Sequence, residues 1–571
     1  MNELPSEVPV LIVGAGPIGL ALAAYLGKQG IRTLLVERAE DRPASPKMIV
    51  VSVRTMEFCR QLGLAPAIHD WGFPLDHGLD SVFVTSLQGH ELGRVRTAPL
   101  TMAYDTPFSP ERERPCPQTW FDPILKQCAL AQSSVQIRFR TALESFVQDE
   151  DGVTAAVRDA SGQLHTVRAR YLVGADGYAS TVRRQLGIQV RGAKHLDVSM
   201  SIYLTIPGLA RHHRIGEAYR YLFVGDAGVW AVLTTIDGRD FYRLQLIGVS
   251  DADVHQLNVD DVLRRCIGQA VDYRLGEVSS WIRKSTVADR FSDGRVFIAG
   301  DAAHAHPPNG GLGMNTGILD AWDLGWKLSA VLQGWGGAHL LDSYDIERRP
   351  ASARATEESL RNYGRLTGER DLAGLLEDSP AGRALRSETG RRLVEANEKA
   401  WHPIGIHLGY VYAPSPVVID DGSPPVGEDE PEYIPRAQPG CRAPHVWLEE
   451  GQRSILDCFG PGFTLLKFRA CDTTTLERAA AVVGMPLSVV QIDNDEAAAL
   501  YQKSLVLVRP DGHVAWRDDQ LPADCRWIVD KVRGGLSGVA ARWQHPPATT
   551  AHPGGVSPRK STEPQGEKAC L

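Results

Sequence analysis

A glycine-rich turn near the start of the chain has the spacing of a phosphate-binding loop. The turn, Gly14-Ala-Gly16-Pro-Ile-Gly19, follows the apolar run Val8–Val13 and precedes a second apolar stretch. In this spacing the first glycine permits the tight turn, the second lets a pyrophosphate approach the backbone, and the third lets helix and strand pack closely. The pyrophosphate would meet free N–H groups at the positive end of the helix dipole. Glu37 follows at about the distance expected of a ribose ligand, so the segment predicts a dinucleotide site.

Two later segments combine an acid at the end of a strand with glycines. Tyr171–Arg183 runs from an apolar strand into the turn Asp176-Gly177 and a short basic helix, a pattern that an ordinary turn would also produce. Gly294–Asn315 carries Asp301 after a strand, then a loop rich in proline and glycine. An acid at a strand end can bind ribityl or ribose hydroxyls, and the glycines of such a loop leave backbone N–H groups open to a flat ring.

The elements that must position these motifs follow from hydrophobic periodicity. Val8–Val13, Ile18–Gln29 and Ile31–Glu37 predict a strand, a helix and a strand, which together make a βαβ unit. The segment 198–248 alternates apolar and polar residues, most clearly in three stretches, and predicts an antiparallel sheet. These stretches are Ser199–Ile206, Val229–Thr235 and Phe241–Ile247. A long helix is predicted around Ile318–Gln333.

The last third of the chain has a different composition. A polar helical stretch over Glu347–Glu398 leads into a connector rich in proline and acids, Pro414–Pro439, which predicts a linker. Beyond it we expect a small α/β domain with a hairpin at Pro510-Asp511-Gly512. Its strands are predicted at Phe463–Phe468, Ser488–Ile492, Leu505–Arg509 and His513–Trp516, with a helix at Leu476–Val483. His545–Leu571 has the composition of a disordered tail.

Composition argues against several classes of protein. The net charge of −8 gives no reason to expect nucleic acid or a membrane as a partner. The 9 cysteines form no CxxC pair and their odd number fits no disulfide framework, so we expect a cytoplasmic protein. No targeting segment is recognisable. His304 and His306 have the spacing of metal ligands, but without a third ligand nearby in the sequence we expect no metal.

The three motifs occur in the order and at the spacing of one family, the flavoprotein aromatic hydroxylases of the para-hydroxybenzoate hydroxylase and phenol hydroxylase type. The chain resembles the bacterial phenol and chlorophenol hydroxylases most, specifically over residues 8–350 and more loosely through Arg442–Trp447 and the small C-terminal domain. The resemblance implies an α/β fold: a Rossmann-like FAD-binding domain, an inserted antiparallel β-sheet substrate domain and a C-terminal thioredoxin-like domain. Without a CxxC pair, redox activity of that last domain is not expected, and a role in packing or in dimer contacts is the better hypothesis.

The resemblance also implies domain limits. The FAD-binding domain would comprise 1–190 and, with a helical segment, 261–410. The substrate domain would occupy 191–260, the linker 411–440, the thioredoxin-like domain 441–544 and the disordered tail 545–571.

The family pattern assigns cofactor-binding roles to residues of all three motifs. It implies the pyrophosphate loop at Gly14, Gly16 and Gly19, with Glu37 as ribose ligand and Arg38 as a candidate beside it. Gln118 matches a residue that contacts FAD at the start of a helix. Asp176 matches the Asp-Gly motif that serves FAD and the nicotinamide cofactor, with Arg183 as its basic companion. Asp301 matches the ribityl ligand, and Gly313, Met314 and Asn315 match the backbone that binds the flavin ring.

Three further residues are candidates for the site. Lys47 stands where many relatives have arginine, which keeps a charge for phosphate but loses the bidentate fork. Arg54 is a second candidate near FAD, and an ion pair with a neighbouring acid on the same helix is its equally good alternative. Pro308 matches the proline whose carbonyl faces the substrate, and we assign it a catalytic role.

Substrate residues should come from the sheet at 198–248. Tyr203 and Arg243 are our catalytic candidates there, although aromatic residues of a sheet more often fill the core. Other residues available to line the pocket are Tyr221, Trp230 and Tyr242. The basic run Arg211-His-His-Arg214 could meet an anion, with a solvated loop as the default.

The resemblance implies an enzyme that uses NAD(P)H and O2 to hydroxylate a phenolic small molecule through a flavin C4a-hydroperoxide. The protein must favour deprotonation of the phenol and exclude water. A homodimer is expected, and whether NADPH or NADH serves is not readable.

Two alternatives stay open. One is a tailoring monooxygenase, of epoxidase or Baeyer–Villiger type, on a polyketide or other larger substrate, or a flavin reductase of isoprenoids. The other is a non-catalytic flavin-binding redox sensor.

Overall fold

A computed structural model describes residues 4–40, 45–102, 107–250, 256–368, 371–401, 404–427 and 432–536 of the 571-residue chain. The tail predicted at 545–571 lies outside these ranges. The strands are numbered β1–β26 in chain order. They are β1 Glu7–Val13, β2 Thr33–Val36, β3 Val50–Val51, β4 Ser81–Val84, β5 Glu91–Val95, β6 Arg114–Pro115, β7 Val135–Arg138, β8 Ala142–Gln148, β9 Val153–Arg158, β10 Leu164–Gly174, β11 Val190–Ala193, β12 Val198–Thr205, β13 Arg220–Gly225, β14 Gly228–Thr235, β15 Phe241–Ile247, β16 Arg274–Ile282, β17 Ser285–Ala288, β18 Ser292–Asp293, β19 Val296–Ile298, β20 His304–Ala305, β21 Trp447–Glu449, β22 Arg453–Ser454, β23 Phe463–Lys467, β24 Leu487–Gln491, β25 Leu505–Val508 and β26 Val514–Asp518.

The α-helices lie between these strands and are named by their ranges. They are Pro17–Lys28, Val53–Gln61, Ala65–His69, Gln118–Leu130, Thr181–Gln185, Val259–Ile267, Leu312–Leu332, Ser343–Thr367, Pro380–Trp401, Ile404–Leu408, Thr474–Val482, Asp495–Tyr501 and Arg526–Val532. Short 3₁₀ turns occur at Leu209–Arg211, Gly300–Ala302 and Ile455–Cys458.

A largely parallel sheet carries the three motifs. Its strand order is β18-β19-β10-β1-β2-β7. All neighbouring strands from β19 to β7 are parallel, whereas β18 is antiparallel to β19. The apolar run of β1 is buried because helices cover both faces of a parallel sheet. The predicted βαβ unit is confirmed, with its helix beginning at Pro17, a residue suited to the first helical turn. The carboxyl ends of β1, β10 and β19 therefore lie side by side.

A second sheet has seven strands in the order β16-β12-β15-β14-β13-β4-β5. The three antiparallel stretches predicted over 198–248 appear as β12, β14 and β15. The sheet also takes β4 and β5 from before the predicted 191–260 segment and β16 from after it. Alternation within one segment could not reveal this, because sheet membership depends on distant pairing.

The two faces of this sheet have different coverings. One face packs on the Val259–Ile267 helix around Ile202, Phe223 and Leu244. Part of the other face, with Leu222 and Val224, packs against apolar residues of the later helices. The remaining part of that face contacts the segment that precedes β3, at Pro46 and Lys47.

The C-terminal region forms a small four-stranded sheet in the order β24-β23-β25-β26. β23 and β24 are parallel, whereas β25 is antiparallel to β23 and to β26, so the predicted hairpin is confirmed. The Asp495–Tyr501 helix was not predicted. Asn494 caps it by accepting a hydrogen bond from Ala497 N at 2.8 Å, and Asn followed by two acids is a helix start signal that the sequence analysis missed.

The segment predicted as a linker is packed against the rest of the protein. Its described residues form no helix or strand, in agreement with the composition. Val417, Ile419, Tyr433 and Ala437 are nevertheless buried, so these residues anchor the connector to the protein surface.

Candidate active site

The glycine turn has the geometry that a pyrophosphate loop requires. Gly14 has φ of 107°, and a Cβ there would lie 2.4 Å from the carbonyl oxygen of Ala175. A Cβ on Gly19 would lie 2.0 Å from the Gly14 oxygen. Gly16 caps the Pro17–Lys28 helix, and a Cβ on it would meet no protein atom within 4 Å. Two glycines are thus needed for packing, while the third faces open space at a helix N-terminus.

The side chain of Glu37 contacts the tip of this turn. Its Oε2 accepts a hydrogen bond from Ala15 N at 2.8 Å, and its Oε1 accepts one from Ala39 N at 2.8 Å. Arg38 beside it is exposed. The carboxylate is therefore held in place at the end of β2, which is where a ribose ligand was predicted.

The second motif is tied to the third. Asp176 Oδ2 accepts from Thr181 N at 2.7 Å, while its Oδ1 is buried and accepts no hydrogen bond from the described residues. Arg183 donates to the carbonyl oxygens of Ala302 at 2.9 Å and Tyr178 at 2.7 Å. The guanidinium of Arg183 therefore fixes the loop after Asp176 against the segment that carries the next acid.

Asp301 lies in the 3₁₀ turn Gly300–Ala302, which follows β19. The residue is solvent-exposed although protein surrounds it on most sides, so its accessible surface faces a concave space, which we call the cleft. This environment raises the pKa of the carboxyl, and the charges of His304 and Lys47 oppose the rise. An accessible acid in such a position is free to accept hydrogen bonds from a polyol chain.

The loop predicted to bind the flavin ring is fixed to the rest of the domain by Asn315. Its Oδ1 accepts from Ser52 N at 2.9 Å. Its Nδ2 donates to the carbonyl oxygens of Val50 at 3.2 Å and Gly311 at 2.7 Å. Gly311, with φ of 65°, begins the Leu312–Leu332 helix. Asn315 thus joins this helix N-terminus to β3.

Three predicted residues flank that N-terminus. Pro308 is exposed, and its carbonyl oxygen accepts a hydrogen bond from Gly311 N at 3.2 Å. Gly313 and Met314 are half-buried in the first turn of the helix. Their backbone N–H groups belong to the first helical turn, where the helix itself supplies no acceptor.

Gln118 and Lys47 come from the segments beside this loop. Gln118 begins a helix, its backbone N donates to Met48 O at 2.8 Å, and its Nε2 donates to Asp122 Oδ2 at 2.9 Å. Lys47 is exposed, and its charge acts on Asp301 across the cleft. Lys47 and Gln118 therefore lie on the two segments that flank the paired strands β3 and β6.

Arg54 belongs to the Val53–Gln61 helix. It is buried, and its NH1 donates to Glu57 Oε2 at 2.6 Å, which is the ion pair that the sequence left as an alternative. Its NH2 donates to the Asp511 carbonyl oxygen at 2.5 Å, and its guanidinium lies 4.4 Å from the Trp322 ring centroid. These contacts join the side chain to the C-terminal region, and Arg54 also lines a small cavity with Leu312 and Asn315, so its role toward FAD stays a prediction.

The seven-stranded sheet places polar side chains in one row. Its register pairs Tyr203 with Arg243, Arg243 with Thr234, and Thr234 with Arg220. Directly opposed residues of neighbouring strands point to the same face. Leu222, two residues after Arg220 on β13, lies on the sheet face that does not pack on the Val259–Ile267 helix. The row of polar side chains therefore lies on that face as well.

This row faces the segment that precedes β3. The Tyr203 hydroxyl donates to the Pro46 carbonyl oxygen at 2.6 Å, and Arg243 NH1 donates to the Lys47 carbonyl oxygen at 3.4 Å. Burial raises the pKa of Tyr203, and Arg243 opposes the rise. The structure therefore brings the two substrate candidates together with Lys47 and Asp301.

Sequence reasoning missed three residues of the same region, Glu113, Tyr219 and Arg220. Tyr219 donates to the Ile49 carbonyl oxygen at 3.4 Å, and the Arg220 guanidinium lies 4.8 Å from the Tyr219 ring centroid. Glu113 directly precedes β6, which pairs with β3. Arg220 lies on the same face of the sheet as Arg243. The alternation of apolar and polar residues along 198–248 was the one signal that could have identified it.

Beside the second motif is a basic cavity of about 260 Å³. Its walls include Tyr178, Arg183, Arg184 and Lys194. The Lys284 ammonium lies 3.5 Å from the centroid of the Tyr178 ring. The cavity offers cations to an anionic ligand and lies next to the Asp176 turn.

The described part of the chain holds no group of three or more His, Cys, Asp and Glu side chains arranged for a metal ion. His304 instead pairs with Asp320, with Nε2 2.6 Å from Oδ2. Within the same ranges, none of the helices combines the length and the apolar character needed to cross a membrane.

These features fit FAD. The open space at Gly16 would admit a pyrophosphate, the accessible carboxylate of Asp301 would meet the ribityl chain, and the free first-turn N–H groups near Met314 would meet the flavin ring. All three lie at the carboxyl ends of adjacent parallel strands or at helix N-termini, the usual site of nucleotide binding in such sheets.

Two protein families match the chain. The first is described as FAD binding domain and matches residues 7–359. The second is described as aromatic-ring hydroxylase, C-terminal, and matches residues 436–547. Together they cover the parallel sheet, the seven-stranded sheet and the C-terminal region.

Named relatives have similarity over nearly their whole length. The chain is 33% identical to tetracenomycin B2 monooxygenase-dioxygenase of Streptomyces olivaceus, over 94% of this chain and 99% of the relative. It is 33% identical to 4-methyl-5-nitrocatechol 5-monooxygenase of a Burkholderia species, over 91% of this chain and 95% of the relative.

Solved structures agree with this fold. The rebeccamycin biosynthetic enzyme RebC with reduced flavin superposes with a TM-score of 0.85 at 37% identity, covering 93% of this chain and 100% of RebC. The flavin-dependent monooxygenase PieE in complex with FAD and substrate has a TM-score of 0.85 at 31% identity, covering 93% of this chain and 99% of PieE.

Proposed function

The chain belongs to the FAD-dependent aromatic-ring monooxygenases, and on that premise we propose that it uses NAD(P)H and O2 to hydroxylate a phenolic ring. The observation that carries the proposal is the polar row of the seven-stranded sheet. Tyr203 and Arg243 lie on one face and contact the Pro46–Lys47 backbone beside the cleft. A hydroxyl and a guanidinium suit the recognition of a phenol and of the phenolate it forms.

Bound FAD supplies the redox chemistry that protein side chains lack. Gly14, Gly16 and Asp301 would hold it from the parallel sheet, and Gly313 and Met314 would present backbone N–H groups to its ring. Because Asp301 is the acid open to the cleft, it is the ligand whose loss should affect retention of the cofactor most directly.

The remaining task of the chain is to bind and orient the substrate and to exclude water. The apolar cluster of Ile49, Val50, Phe73, Tyr219 and Ile236 adjoins the polar row and supplies the apolar wall that such a site needs. A largely apolar site with few polar groups also strengthens the attraction between the Arg243 guanidinium and a phenolate oxygen.

The basic cavity at Tyr178, Arg183, Arg184 and Lys194 supports the nicotinamide co-substrate as a further part of this proposal. Its cations would meet the phosphates of NAD(P)H, and its place next to the Asp176 turn keeps it close to the cleft.

We also propose that the C-terminal region is thioredoxin-like, supported by its strand order and by the parallel pairing of its first two strands. The homodimer stays a prediction.

A second candidate is a tailoring monooxygenase on a larger polyketide or polycyclic substrate. What favours it is that the relatives include a tetracenomycin monooxygenase-dioxygenase alongside a nitrocatechol monooxygenase. Both candidates use the same site and differ in the size of the ring system.

The deciding experiment measures oxygen uptake by the FAD-loaded protein with a panel of simple phenols and of polycyclic phenols, using NADH and NADPH in turn. The proposal expects phenol-stimulated oxygen uptake and a product heavier by one oxygen atom. Stimulation by the polycyclic compounds alone would favour the tailoring candidate. Retention of FAD without any substrate-dependent uptake would instead support a redox sensor and overturn the proposal.

A further inference from the structure

A cluster of titratable side chains lies at the end of the polar row. The Tyr219 hydroxyl is its centre, with Arg220 and Arg243 near enough to lower its pKa, whereas burial and Glu113 raise it, to about 12. Tyr219 therefore stays a neutral phenol at ordinary pH. The two guanidiniums beside it have no hydrogen-bonded carboxylate partner among the described residues.

Glu113 interacts electrostatically with Arg220 and Tyr219 of this cluster. Two residues after Glu113, Pro115 pairs with Val50 of β3, and the Val50 carbonyl oxygen accepts the hydrogen bond from Asn315. The Trp71 indole N–H donates to the Pro115 carbonyl oxygen at 2.6 Å and fixes this strand. Glu113 thus lies directly before a strand that is tied, through Val50, to the loop predicted to bind the flavin ring.

The carboxylate of Glu113 is not used by the fold. The residue is half-buried, and no hydrogen bond joins its side chain to the described residues. A carboxylate that serves structure is normally paired or hydrogen-bonded when protein surrounds it, as Glu57 and Glu347 are here. Glu113 is therefore available to a ligand.

The charged and titratable groups that act on Glu113 come from two parts of the chain. Arg220 acts on it from β13, Arg112 acts from its own segment, and the Tyr219 hydroxyl lies nearby. The surrounding protein raises the pKa of the Glu113 carboxyl to about 7, and Arg220 and Arg112 limit the rise. A group with this pKa exchanges protons most effectively near neutral pH.

We propose that Glu113 accepts the hydroxyl proton of the aromatic substrate, while Arg220 and Arg243 stabilise the oxyanion that remains. This step rests on the proposed function, because a phenol must occupy the cleft. The substrate O–H bond breaks, its electron pair stays on the phenolate oxygen, and the proton forms a new O–H bond on the Glu113 carboxylate. The negative charge moves from Glu113 to the substrate, so no charge is created inside the cleft.

The pH dependence follows from the raised pKa. Below about 7 Glu113 is protonated and cannot accept a proton, and above that value it is a carboxylate and can. The rate of a reaction that needs the phenolate should therefore rise with pH through this region. Arg220→Met should move the rise to higher pH, because Arg220 lowers the pKa of Glu113.

The first test needs no substrate. Infrared difference spectra of the FAD-loaded protein, recorded against pH, should contain a protonated-carboxyl band that titrates near neutral pH and is weaker in Glu113→Gln. Asp323, whose pKa is also raised by burial to about 7, contributes the part that remains. Glu91→Gln, which removes an exposed carboxylate from β5 of the same sheet, is the control and should keep the band. A spectrum of Glu113→Gln identical to that of the wild type in this range overturns the proposal.

The second test uses 4-nitrophenol as a chromophoric probe of the FAD-loaded protein. In weakly buffered solution the wild type should bind the probe as phenolate without releasing a proton. Glu113→Gln should either bind it as the neutral phenol or release its proton to the solution. Equal phenolate absorbance and equal proton release in the two proteins would contradict a transfer to Glu113.

Oxygen uptake separates this inference from the proposed function. Substrate-stimulated uptake by the wild type, with an unchanged pH profile in Glu113→Gln, removes the role of Glu113 and leaves the monooxygenase. Absence of uptake with every phenol removes the monooxygenase, and the proton measurements with 4-nitrophenol still decide whether Glu113 accepts a proton in the cleft.

Discussion

Glu57 and Arg442 form a buried ion pair although 385 positions separate them in the chain, with Arg442 Nε 3.0 Å from Glu57 Oε2. Glu57 also accepts from Arg54 and, through Oε1, from the Ser109 hydroxyl at 2.7 Å. The pair fastens the Val53–Gln61 helix, next to the cleft, to the segment that leads into the C-terminal region.

Removing the charge of Glu57 should destabilise the protein strongly. In Glu57→Gln two buried guanidiniums lose their carboxylate, and breaking a buried pair in this way costs about 3–5 kcal/mol. The free energy of unfolding by urea should fall by that amount. Glu144→Gln, which breaks the half-exposed pair with Arg158, is the control and should cost at most about 1 kcal/mol. Equal losses in the two variants would contradict the importance of the buried pair.

Glu57 should also make stability depend on acid pH. Burial alone would raise its pKa, but Arg442 and Arg54 bring it down to about 2 from an ordinary value of 4.5. Its contribution is therefore fully present above about pH 4.5 and is lost as pH falls toward about 2. Thermal unfolding midpoints measured across this range should decline less steeply in Glu57→Gln than in the wild type.

Gly16 offers a test of cofactor binding that leaves the fold intact. A methyl group there meets no protein atom, so Gly16→Ala should fold normally and yet fill the space predicted for the pyrophosphate. We expect at least about tenfold weaker FAD binding, or about 1.4 kcal/mol, by fluorescence titration. Gly364→Ala, also free of contacts but in a distant helix, should bind FAD as the wild type does. Unchanged affinity in Gly16→Ala would place the pyrophosphate elsewhere.

Gly14 should behave differently from Gly16. Gly14→Val combines a positive φ with a clash at 2.4 Å against the Ala175 oxygen, so the turn itself must move. The variant should lose FAD and also unfold at a lower temperature, which differential scanning calorimetry of the FAD-free protein would show. A normal unfolding temperature would mean that the turn tolerates the side chain.

Asp301 and Asp320 should separate cofactor retention from stability. Asp301→Ala removes an acid open to the cleft and should abolish FAD retention on gel filtration with little change in the unfolding temperature of the FAD-free protein. Asp320→Asn disturbs the buried contacts to His304 and Arg348 and should lower that temperature. If Asp301→Ala retained FAD fully, the ribityl assignment would be wrong.

Pro308 should affect the use of reducing equivalents. Its carbonyl oxygen closes a turn with Gly311 N, and the residue is exposed on the predicted substrate side of the loop. Pro308→Ala should retain FAD but form less product for each NAD(P)H oxidised. Comparison of oxygen uptake with product yield measures this ratio. An unchanged ratio would remove the catalytic assignment of Pro308.

The sequence by itself determined the local parts of this protein. The glycine turn, the Asp176-Gly177 turn and the loop after Asp301 depend on backbone conformations within a few residues, and their spacing indicated FAD and the family. Strand and helix positions around them followed from periodicity, because burial of one face repeats every two residues in a strand and every 3.6 in a helix.

Only the tertiary structure decided which distant residues meet. Sheet register places Tyr203, Arg243 and Arg220 in one row, and packing of the sheet against the first domain brings Glu113 to them. It also joined Arg54 to the Asp511 carbonyl oxygen. Such contacts arise from the joint burial of faces far apart in the chain, and no pattern within a single segment encodes them.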